Sequence, residues 1–332
     1  MKGCNRRLMV DRSLWVGWLA LMWLAASPLL ADQGELEPDS PEAPYWVAAE
    51  SRWSIGSRFV YQDYRLDFAA DDDLPSLAYQ PNSPWGLELS LGYNGYNLSW
   101  IVYEHADRDK ADYVSTTRRD IQFRSYKNHW GYELYYQDYR GFYGESEDLI
   151  IQRDDIRSRK IGASGFYLFN AEHYSLQAAF EVNERQLRSA GSWLLFAHAA
   201  QYQLSAEHPF IPPELQKMDN AFVELNGLNH FSSEHLSLGA GYSHTWVREG
   251  WFLNTTLMGG PALQRQRFEW HKDQRDTWEL GYDVGFKLGV GWQQEQLRAA
   301  LTMHLHQSTF RLPKGELNIQ SGAIALELGY LF

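Results

Sequence analysis

The stretch WELGYDVGFKLGVGW, from Trp278 to Trp292, decides the fold, because two kinds of residue alternate along it without interruption. The apolar set is Trp278, Leu280, Tyr282, Val284, Phe286, Leu288, Val290 and Trp292. The small or charged set is Glu279, Gly281, Asp283, Gly285, Lys287, Gly289 and Gly291. A period of two is typical of a β-strand whose faces meet different surroundings. At about 3.3 Å per residue and a tilt of about 40°, this strand spans roughly 35 Å, enough to cross an outer membrane. The stretch therefore predicts one strand of a transmembrane β-barrel with its apolar face toward lipid.

The beginning of the chain has the pattern of a secretory signal peptide. Basic residues between positions 2 and 12 precede an apolar run over 14–30, and the chain turns acidic from Asp32. We expect residues 1–31 to be removed after export to the outer membrane of a Gram-negative bacterium, with an uncleaved anchor as the alternative. Residues 32–50, rich in proline and acidic side chains, are predicted to be a periplasmic N-terminal tail.

The composition agrees with a barrel and excludes several other classes. The chain has 14 Trp, 20 Tyr and 16 Phe, yet its mean hydropathy is −0.48, as expected when only half of each strand meets lipid. No second apolar run is long enough for a membrane helix, so helical spans are excluded. The net charge of −12 argues against nucleic acid as a partner. Cys4 is the only cysteine and lies in the predicted signal peptide, so we expect no disulfide or thiolate site in the mature protein.

Further alternating segments predict an all-β antiparallel barrel over residues 51–332. The segments are 52–66, 85–94, 96–105, 115–127, 130–140, 157–169, 173–184, 191–204, 235–247, 250–262, 277–292, 295–310 and 319–332. Single-chain bacterial barrels have even strand numbers and short periplasmic turns. Tight connections such as Asn94-Gly95 can all face the periplasm only if one more strand lies between 205 and 235, and 218–228 is the candidate. We therefore predict about fourteen strands, with twelve as the alternative if two weaker segments do not span.

The end of the sequence has the pattern of an assembly signal. Leu328, Tyr330 and Phe332 share one face of the final segment, and the sequence ends on the aromatic Phe332. This resembles the recognition signal of outer-membrane barrels. The expected partners are the barrel-assembly machinery during biogenesis, and outer-membrane lipid and lipopolysaccharide afterwards. An ordinary soluble edge strand is the alternative.

The residues that could carry chemistry form no complete site in the sequence. His304 and His306 share a lumen-facing side of one strand and could bind one metal ion, but no third ligand can be identified. Ser243 and His244 are adjacent, so on a strand they face opposite sides and cannot act as nucleophile and base. We therefore expect no catalytic residues, no metal and no cofactor, and we predict that the protein is not an enzyme.

Three charged clusters are candidates for binding at the outer end of the barrel. They are residues 148–160, the group Glu184, Arg185 and Arg188, and residues 265–276. Arginines in such clusters could line an ion constriction or bind lipopolysaccharide phosphates. Ordinary solvated loops are the alternative, and it is favoured for the first and third clusters. Glu184, Arg185 and Arg188 are therefore the predicted binding residues, at the outer rim or a constriction.

Several runs of sequence together resemble an uncharacterised family. These runs are Tyr79-Gln80-Pro81-Asn82-Ser83-Pro84, Tyr139-Arg140-Gly141-Phe142-Tyr143, Ile161-Gly162, Asn183-Glu184-Arg185-Gln186-Leu187-Arg188-Ser189-Ala190-Gly191-Ser192, and Gly239-Ala240-Gly241-Tyr242-Ser243-His244-Thr245-Trp246. Their order is similar to a family of domain-of-unknown-function type that contains outer-membrane β-barrel proteins of Gram-negative bacteria. The resemblance covers residues 50–332 and implies fold and location, but no site residues.

A porin-like pore or transporter for small solutes or lipidic molecules is the function that the sequence favours. Fourteen strands would enclose more space than side chains can fill. Glycines such as Gly281, Gly285, Gly289 and Gly291 would leave further room on the lumen face. The alternatives are a non-conducting structural or surface-binding barrel and, third, an outer-membrane lipid hydrolase. The sequence leaves the oligomeric state open.

Overall fold

The computed structural model describes residues 44–331 except 70–76, 105–113, 147–148, 214–224, 271–272 and 313–314. The strands are β1 (Trp46–Ala48), β2 (Trp53–Ala69), β3 (Leu77–Gln80), β4 (Trp85–Tyr93), β5 (Tyr96–Tyr103), β6 (Thr117–Lys127), β7 (Trp130–Ser146), β8 (Leu149–Leu168), β9 (Glu184–Gln186), β10 (Ala190–Ser205), β11 (Leu228–Arg248), β12 (Trp251–Trp270), β13 (Gln274–Gln293), β14 (Leu297–Arg311) and β15 (Glu316–Leu331). A single short helix of the described chain, α1, covers Leu176–Phe180. The predicted signal peptide and Phe332 lie outside the described residues.

Twelve strands form a closed antiparallel barrel. Their order around the wall is β2-β4-β5-β6-β7-β8-β10-β11-β12-β13-β14-β15, and β15 pairs with β2 to close it. The closing register runs from Glu316 opposite Ala69 to Leu331 opposite Ser54. The all-β antiparallel barrel is thus confirmed with the alternative count of twelve, and the preferred count of fourteen is wrong.

The two missing strands have separate explanations. Residues 173–184, predicted as a strand, contain α1, whose N-cap Ser175 accepts a hydrogen bond from the Ala178 backbone amide. The segment enters and leaves at the same end of the barrel, because β8 and β10 are paired neighbours. Without that crossing, no fourteenth strand is needed to satisfy parity. Most of the candidate 218–228 lies outside the described residues, and β11 begins at Leu228.

The outward faces of the strands form a continuous apolar surface. Along β10, outward Trp193 is 64% exposed, whereas inward Leu194 is 1% exposed. On β13, outward Leu280 is 71% exposed and inward Asp283 is 3% exposed. Exposed apolar rows on every wall strand are what a lipid-facing barrel presents. Among the described residues, no helix is both long and apolar enough to cross a membrane.

Tight turns gather at one end of the barrel, which we call the turn end. Asn94-Gly95 and Glu249-Gly250 both have positive φ at the two central residues, which matches the twist of two-residue hairpins. Both chain ends of the barrel, Trp53 and Leu331, lie at this end as well. Because periplasmic turns of bacterial barrels are short, we expect the turn end to face the periplasm. We call the opposite end the loop end.

The loop end is built differently because β4, β5 and β6 are short. Strand β2 reaches beyond β4, and β7 reaches beyond β6, so the wall would be open between them. Strand β3 fills this gap by pairing with β2 through Leu66–Phe68 and with β7 through Tyr143–Glu145. It is the one described strand that joins the barrel sheet without spanning the wall.

Candidate functional site in the closed lumen

The segment 169–189 folds into the turn end of the barrel, and we call it the plug. It contains α1, all of whose residues are buried, and β9. Strand β9 pairs with β1, which places Trp46 opposite Gln186 and Ala48 opposite Glu184. Part of the predicted N-terminal tail is thus a strand that pairs with the plug.

Charged side chains of the wall strands bind the plug through hydrogen bonds. Arg298 donates to the carbonyl oxygens of Ala178 at 2.7 Å and Ala179 at 2.6 Å. Arg58 donates to the carbonyl of Phe180 at 2.8 Å. These carbonyls lie in the last turn of α1, where a helix leaves its acceptors unsatisfied and carries partial negative charge. The two guanidinium groups therefore act as a cap for α1.

The same arginines belong to a buried ion network of three arginines and three glutamates. Its members are Arg58, Arg124, Arg298, Glu88, Glu181 and Glu327. Glu327 lies 3.1 Å from Arg58 and 3.3 Å from Arg298, and Glu181 of the plug lies 3.2 Å from Arg124. Buried charges are tolerated only when they are paired. The balanced network thus fixes the plug to β2, β4, β6, β14 and β15.

Side chains also bridge the lumen above the plug. Lys287 of β13 reaches Glu133 of β7 at 2.5 Å, although four strands separate them along the shorter way around the wall. Tyr126 donates a second hydrogen bond to the same Glu133 carboxylate. A cavity of about 180 Å³ is lined by this bridge and by His198, Asp283 and His306. At about 30 Å³ per water in the liquid, it has room for a few waters or one small ligand.

A cluster of histidines around Asp283 lines the cavity and is our candidate site. Asp283 Oδ2 accepts hydrogen bonds from His198 Nδ1 at 2.9 Å, His235 Nε2 at 2.8 Å and Ser237 Oγ at 2.6 Å. Its Oδ1 accepts from Ser308 at 3.1 Å and lies 3.9 Å from His306 Nε2. These residues come from β10, β11, β13 and β14, so the barrel's closure brings them together.

The histidine rings of this cluster are positioned by contacts at their second ring nitrogens. His198 Nε2 and the Tyr135 hydroxyl lie 2.6 Å apart, and Gln264 Nε2 lies 3.3 Å from His235 Nδ1. The Lys160 ammonium rests 4.9 Å from the centres of the Tyr135 and Tyr202 rings. The cluster therefore has fixed ring orientations, which a binding site requires.

Aromatic side chains close the lumen at the loop end. One apolar cluster contains most of the fully buried ones, namely Phe68, Tyr79, Tyr139, Phe142, Tyr202, Phe210, Phe231, Phe268 and Phe310. Residues 208–210 after β10 fold down into it, because Arg153 donates to the carbonyls of His208 at 2.9 Å and Pro209 at 2.8 Å. The lumen is thus blocked at both ends, with the cavity between.

The predicted binding residues lie in the plug, at the turn end rather than the outer end. The outer placement followed from fourteen strands, and the count of twelve moves Glu184, Arg185 and Arg188 to the other end. Burial raises the pKa of Glu184 to about 7, although Ser175 donates a hydrogen bond to its carboxylate. Arg188 stacks 4.3 Å from the Tyr45 ring. Whether these three residues bind a ligand stays a prediction.

The other two charged clusters form ion pairs and hydrogen bonds in the described chain. In the first, Arg153 holds the loop already described, and Arg157 pairs with Asp138 at 2.6 Å. In the third, Arg265 and Arg267 both lie near Asp276 on the exposed wall, at 3.7 Å and 3.1 Å. Exposed pairs of this kind contribute little to stability.

The lumen glycines leave less room than predicted. A Cβ at Gly291 would lie 2.4 Å from the Ala299 carbonyl oxygen, and one at Gly281 would lie 2.5 Å from the Gln264 amide. At Gly289 it would approach the Ala179 carbonyl of the plug at 3.3 Å. The open space behind β13 is therefore smaller than expected, because the plug and neighbouring side chains fill part of it, and what remains is the cavity lined by Gly285.

Sequence reasoning found part of the candidate site and missed the rest. The predicted lumen-facing positions of His304 and His306 are confirmed, whereas His198 and His235 were not among the predicted site residues. The available signal was the polar residue at inward positions of each strand, such as Asp283 within the opening stretch. Which of these positions face each other depends on strand count and register.

The outward residues of the predicted assembly signal are exposed as expected. Leu328 is 57% and Tyr330 is 43% exposed on the lipid-facing side of β15. Ser243 and His244 do face opposite sides, and Ser243 lies between Tyr174 of the plug and Thr256. Their arrangement is that of a buried hydroxyl cluster.

Comparisons with known proteins find one family model and several solved structures that are similar to this chain. The profile of a family described as "Domain of unknown function (DUF4421)" matches residues 37–332. No curated protein matches the chain. Among solved structures, the outer-membrane protease OmpT from Escherichia coli is similar with TM-score 0.39 at 5% identity, over 88% of this chain and 100% of that one.

Two further solved structures show the same type of likeness. The transport unit of the autotransporter AIDA-I from Escherichia coli has TM-score 0.37 at 10% identity, over 95% of this chain and 97% of that one. Neisserial surface protein A has TM-score 0.25 at 9% identity, over 85% and 98%. At these values the likeness carries no argument about fold or activity.

Proposed function

This chain belongs to the DUF4421 family of outer-membrane β-barrel proteins, and we propose that its barrel is a non-conducting one whose closed lumen is a binding site. The observation that carries the proposal is the occlusion of the lumen at two levels, by the plug and by the aromatic cluster, with a polar cavity between them. A pore needs a continuous water path, and both closures consist of buried side chains. The proposal takes the second of the functions that the sequence left open.

The barrel wall supports the proposal independently of its ends. The Lys287–Glu133 bridge and the 2.8 Å hydrogen bond between Tyr64 and Ser158 both cross the lumen. Cross-lumen contacts fix opposite walls relative to each other and stabilise the closed state. They also divide the interior into layers, and the Lys287–Glu133 bridge lines the cavity.

Transport by movement of the plug is the second candidate, and one observation favours it. Arg298 and Arg58 hold α1 through backbone carbonyls, which water could also hydrogen-bond if the plug moved. A transporter for small solutes or lipidic molecules would have to break these contacts together with the ion network. The aromatic cluster would then remain as a second barrier.

Conductance across planar bilayers tests the proposal. We expect the wild-type barrel to show no steady open-channel current, because both closures are intact. Replacing Leu176–Phe180 by glycine and serine removes the α1 side chains, yet we expect it to leave the barrel closed at the loop end. Adding Phe68→Ala, Phe210→Ala and Phe310→Ala should open the second closure, so only the combined variant is expected to conduct.

Heat-modifiable migration on gels serves as the control for folded barrel in each variant. A steady current through the wild-type protein would contradict the closed barrel and support transport. Current through the α1 replacement alone would mean that the aromatic cluster is no barrier, which would also contradict the proposal.

The remaining features of location and biogenesis are part of the same proposal. We propose export by the signal peptide 1–31 in a Gram-negative bacterium and insertion by the barrel-assembly machinery through Leu328, Tyr330 and Phe332. Contact with lipopolysaccharide at the loop end and the absence of enzymatic activity are likewise proposed. The contact with lipopolysaccharide is supported by the exposed apolar wall.

A further inference from the structure

We infer that His198, Asp283 and His306 form a binding site for one divalent transition-metal ion, with Zn²⁺ the best match. One ligand atom from each residue lies within 4.8 Å of those of the other two. The inference deepens the proposed function, on which it rests, by naming the ligand of the closed lumen. Metal binding and conductance are measured separately, so either statement can fail without the other.

The distances suit a shared ion after small side-chain movements. In a tetrahedral Zn²⁺ site with ligand bonds of about 2.0–2.2 Å, neighbouring ligand atoms lie roughly 3.4 Å apart. His198 Nδ1 lies 2.9 Å from Asp283 Oδ2, and His306 Nε2 lies 3.9 Å from Asp283 Oδ1. The first contact would lengthen slightly and the second would shorten by about half an ångström. The two distances involve different oxygens of Asp283, so an ion shared by both histidines would be bound by both carboxylate oxygens, or by one of them after the carboxylate rotates.

The surroundings of these residues match the outer shell of a metal site. A histidine that binds a metal normally donates a hydrogen bond from its second ring nitrogen, and this bond fixes the orientation and the tautomer of the ring. His198 Nε2 has the Tyr135 hydroxyl at 2.6 Å for this purpose. Asp283 is oriented by Ser237 at 2.6 Å, and by His235 at 2.8 Å. The ion would replace the hydrogen bond between His198 Nδ1 and Asp283 Oδ2.

The ligand types select a class of metal. Two imidazoles with one carboxylate suit zinc and its first-row neighbours, whereas Mg²⁺ and Ca²⁺ prefer oxygen ligands. His235 Nε2 is a third nitrogen at the same carboxylate, and the cavity borders the site. A fourth coordination position is therefore available to His235, to water or to a small ligand in the cavity.

The three ligands are far apart in the sequence, which explains why the sequence alone did not reveal the site. His198, Asp283 and His306 come from β10, β13 and β14, and 108 positions separate the first from the last in the numbering. Only His306 has a histidine neighbour at the spacing that sequence reasoning recognises, and that neighbour, His304, lies instead against Phe180 of the plug. The recognisable histidine pair is thus split between two environments.

Titration of the chelator-treated, folded barrel with Zn²⁺ in detergent tests the inference. We expect one Zn²⁺ per chain with micromolar affinity or tighter, no competition by Mg²⁺, and a visible absorption band when Co²⁺ is bound. His306→Gln should weaken Zn²⁺ binding at least 100-fold, because it removes a ligand while leaving the hydrogen bonds to Asp283 in place. Tyr135→Phe should weaken it by about 10–100-fold, because Tyr135 only positions His198.

His304→Gln is the matched control, because His304 lies on the same strand, faces the same cavity and is not among the proposed ligands. We expect its Zn²⁺ affinity to stay within threefold of the wild type. Heat-modifiable migration confirms that each variant is folded. No Zn²⁺ binding by the wild-type barrel, or equal losses in His304→Gln and His306→Gln, would overturn the site.

Discussion

Arg298→Met is expected to lower the free energy of unfolding by about 3–5 kcal/mol, the range for breaking a buried ion pair by removing one partner. Arg298 is fully buried, and its guanidinium binds Glu327 at 3.3 Å and the carbonyls of Ala178 and Ala179. Methionine retains much of the apolar stem but leaves Glu327 with one arginine fewer and α1 without its main cap. Urea unfolding of the barrel in lipid vesicles measures the loss.

Arg311→Met provides a matched control on the same strand. Arg311 is exposed at the loop end of β14, opposite Glu316, so its loss is expected to stay within about 1 kcal/mol. The double variant Arg298→Met with Glu327→Gln should lose less than the sum of the two single changes, by about 0.5–3 kcal/mol, because the residues interact. Equal effects of Arg298→Met and Arg311→Met would contradict the role of the network.

Val284→Arg is expected to impair barrel assembly strongly, at a cost of about 2–4 kcal/mol near the middle of the bilayer. Val284 lies on the outward row of β13, halfway between the girdle positions Trp278 and Trp292, and is 45% exposed. Its neighbour Asp283 points into the lumen and is buried. The yield of heat-modifiable, membrane-inserted protein measures the effect.

Trp278→Arg tests whether depth in the membrane, rather than charge alone, causes that effect. Trp278 is on the same outward row, six residues away, which corresponds to about 15 Å of height at a tilt of about 40°. An arginine near the interface costs only about 0–1 kcal/mol, so this variant should assemble well. Similar impairment of both variants would mean that Val284 does not face the bilayer centre.

Local alternation is the feature of this sequence that predicts structure best. The opening stretch lies entirely within β13, which spans Gln274–Gln293, and its apolar set faces outward as expected. The turn Asn94-Gly95 was also predicted correctly, because positive φ at both central residues follows from the residue types themselves. These predictions succeed because side-chain direction and turn geometry depend on neighbours in the chain.

The strand count shows where local reasoning ends. Residues 173–184 carry apolar residues at spacings that a strand or a short helix can both use, and Ser175 alone does not distinguish them. The lumen decides between a strand and a helix, because Arg58 and Arg298 donate hydrogen bonds there to the backbone carbonyls of α1. A strand at that place would leave the buried guanidinium groups without those acceptors, at a high cost in free energy.

The sequence by itself determined the class of the protein, namely an antiparallel barrel with an apolar outer face. The reason is that the alternation of apolar and polar residues within each strand shows which side chains face outward. Only the tertiary structure decided that twelve strands close the wall, that the plug enters from the turn end, and that His198, Asp283 and His306 meet. The physical reason is that a barrel's interior is assembled across strands distant in sequence. Contacts there depend on strand number, register and closure, and these are properties of the whole sheet.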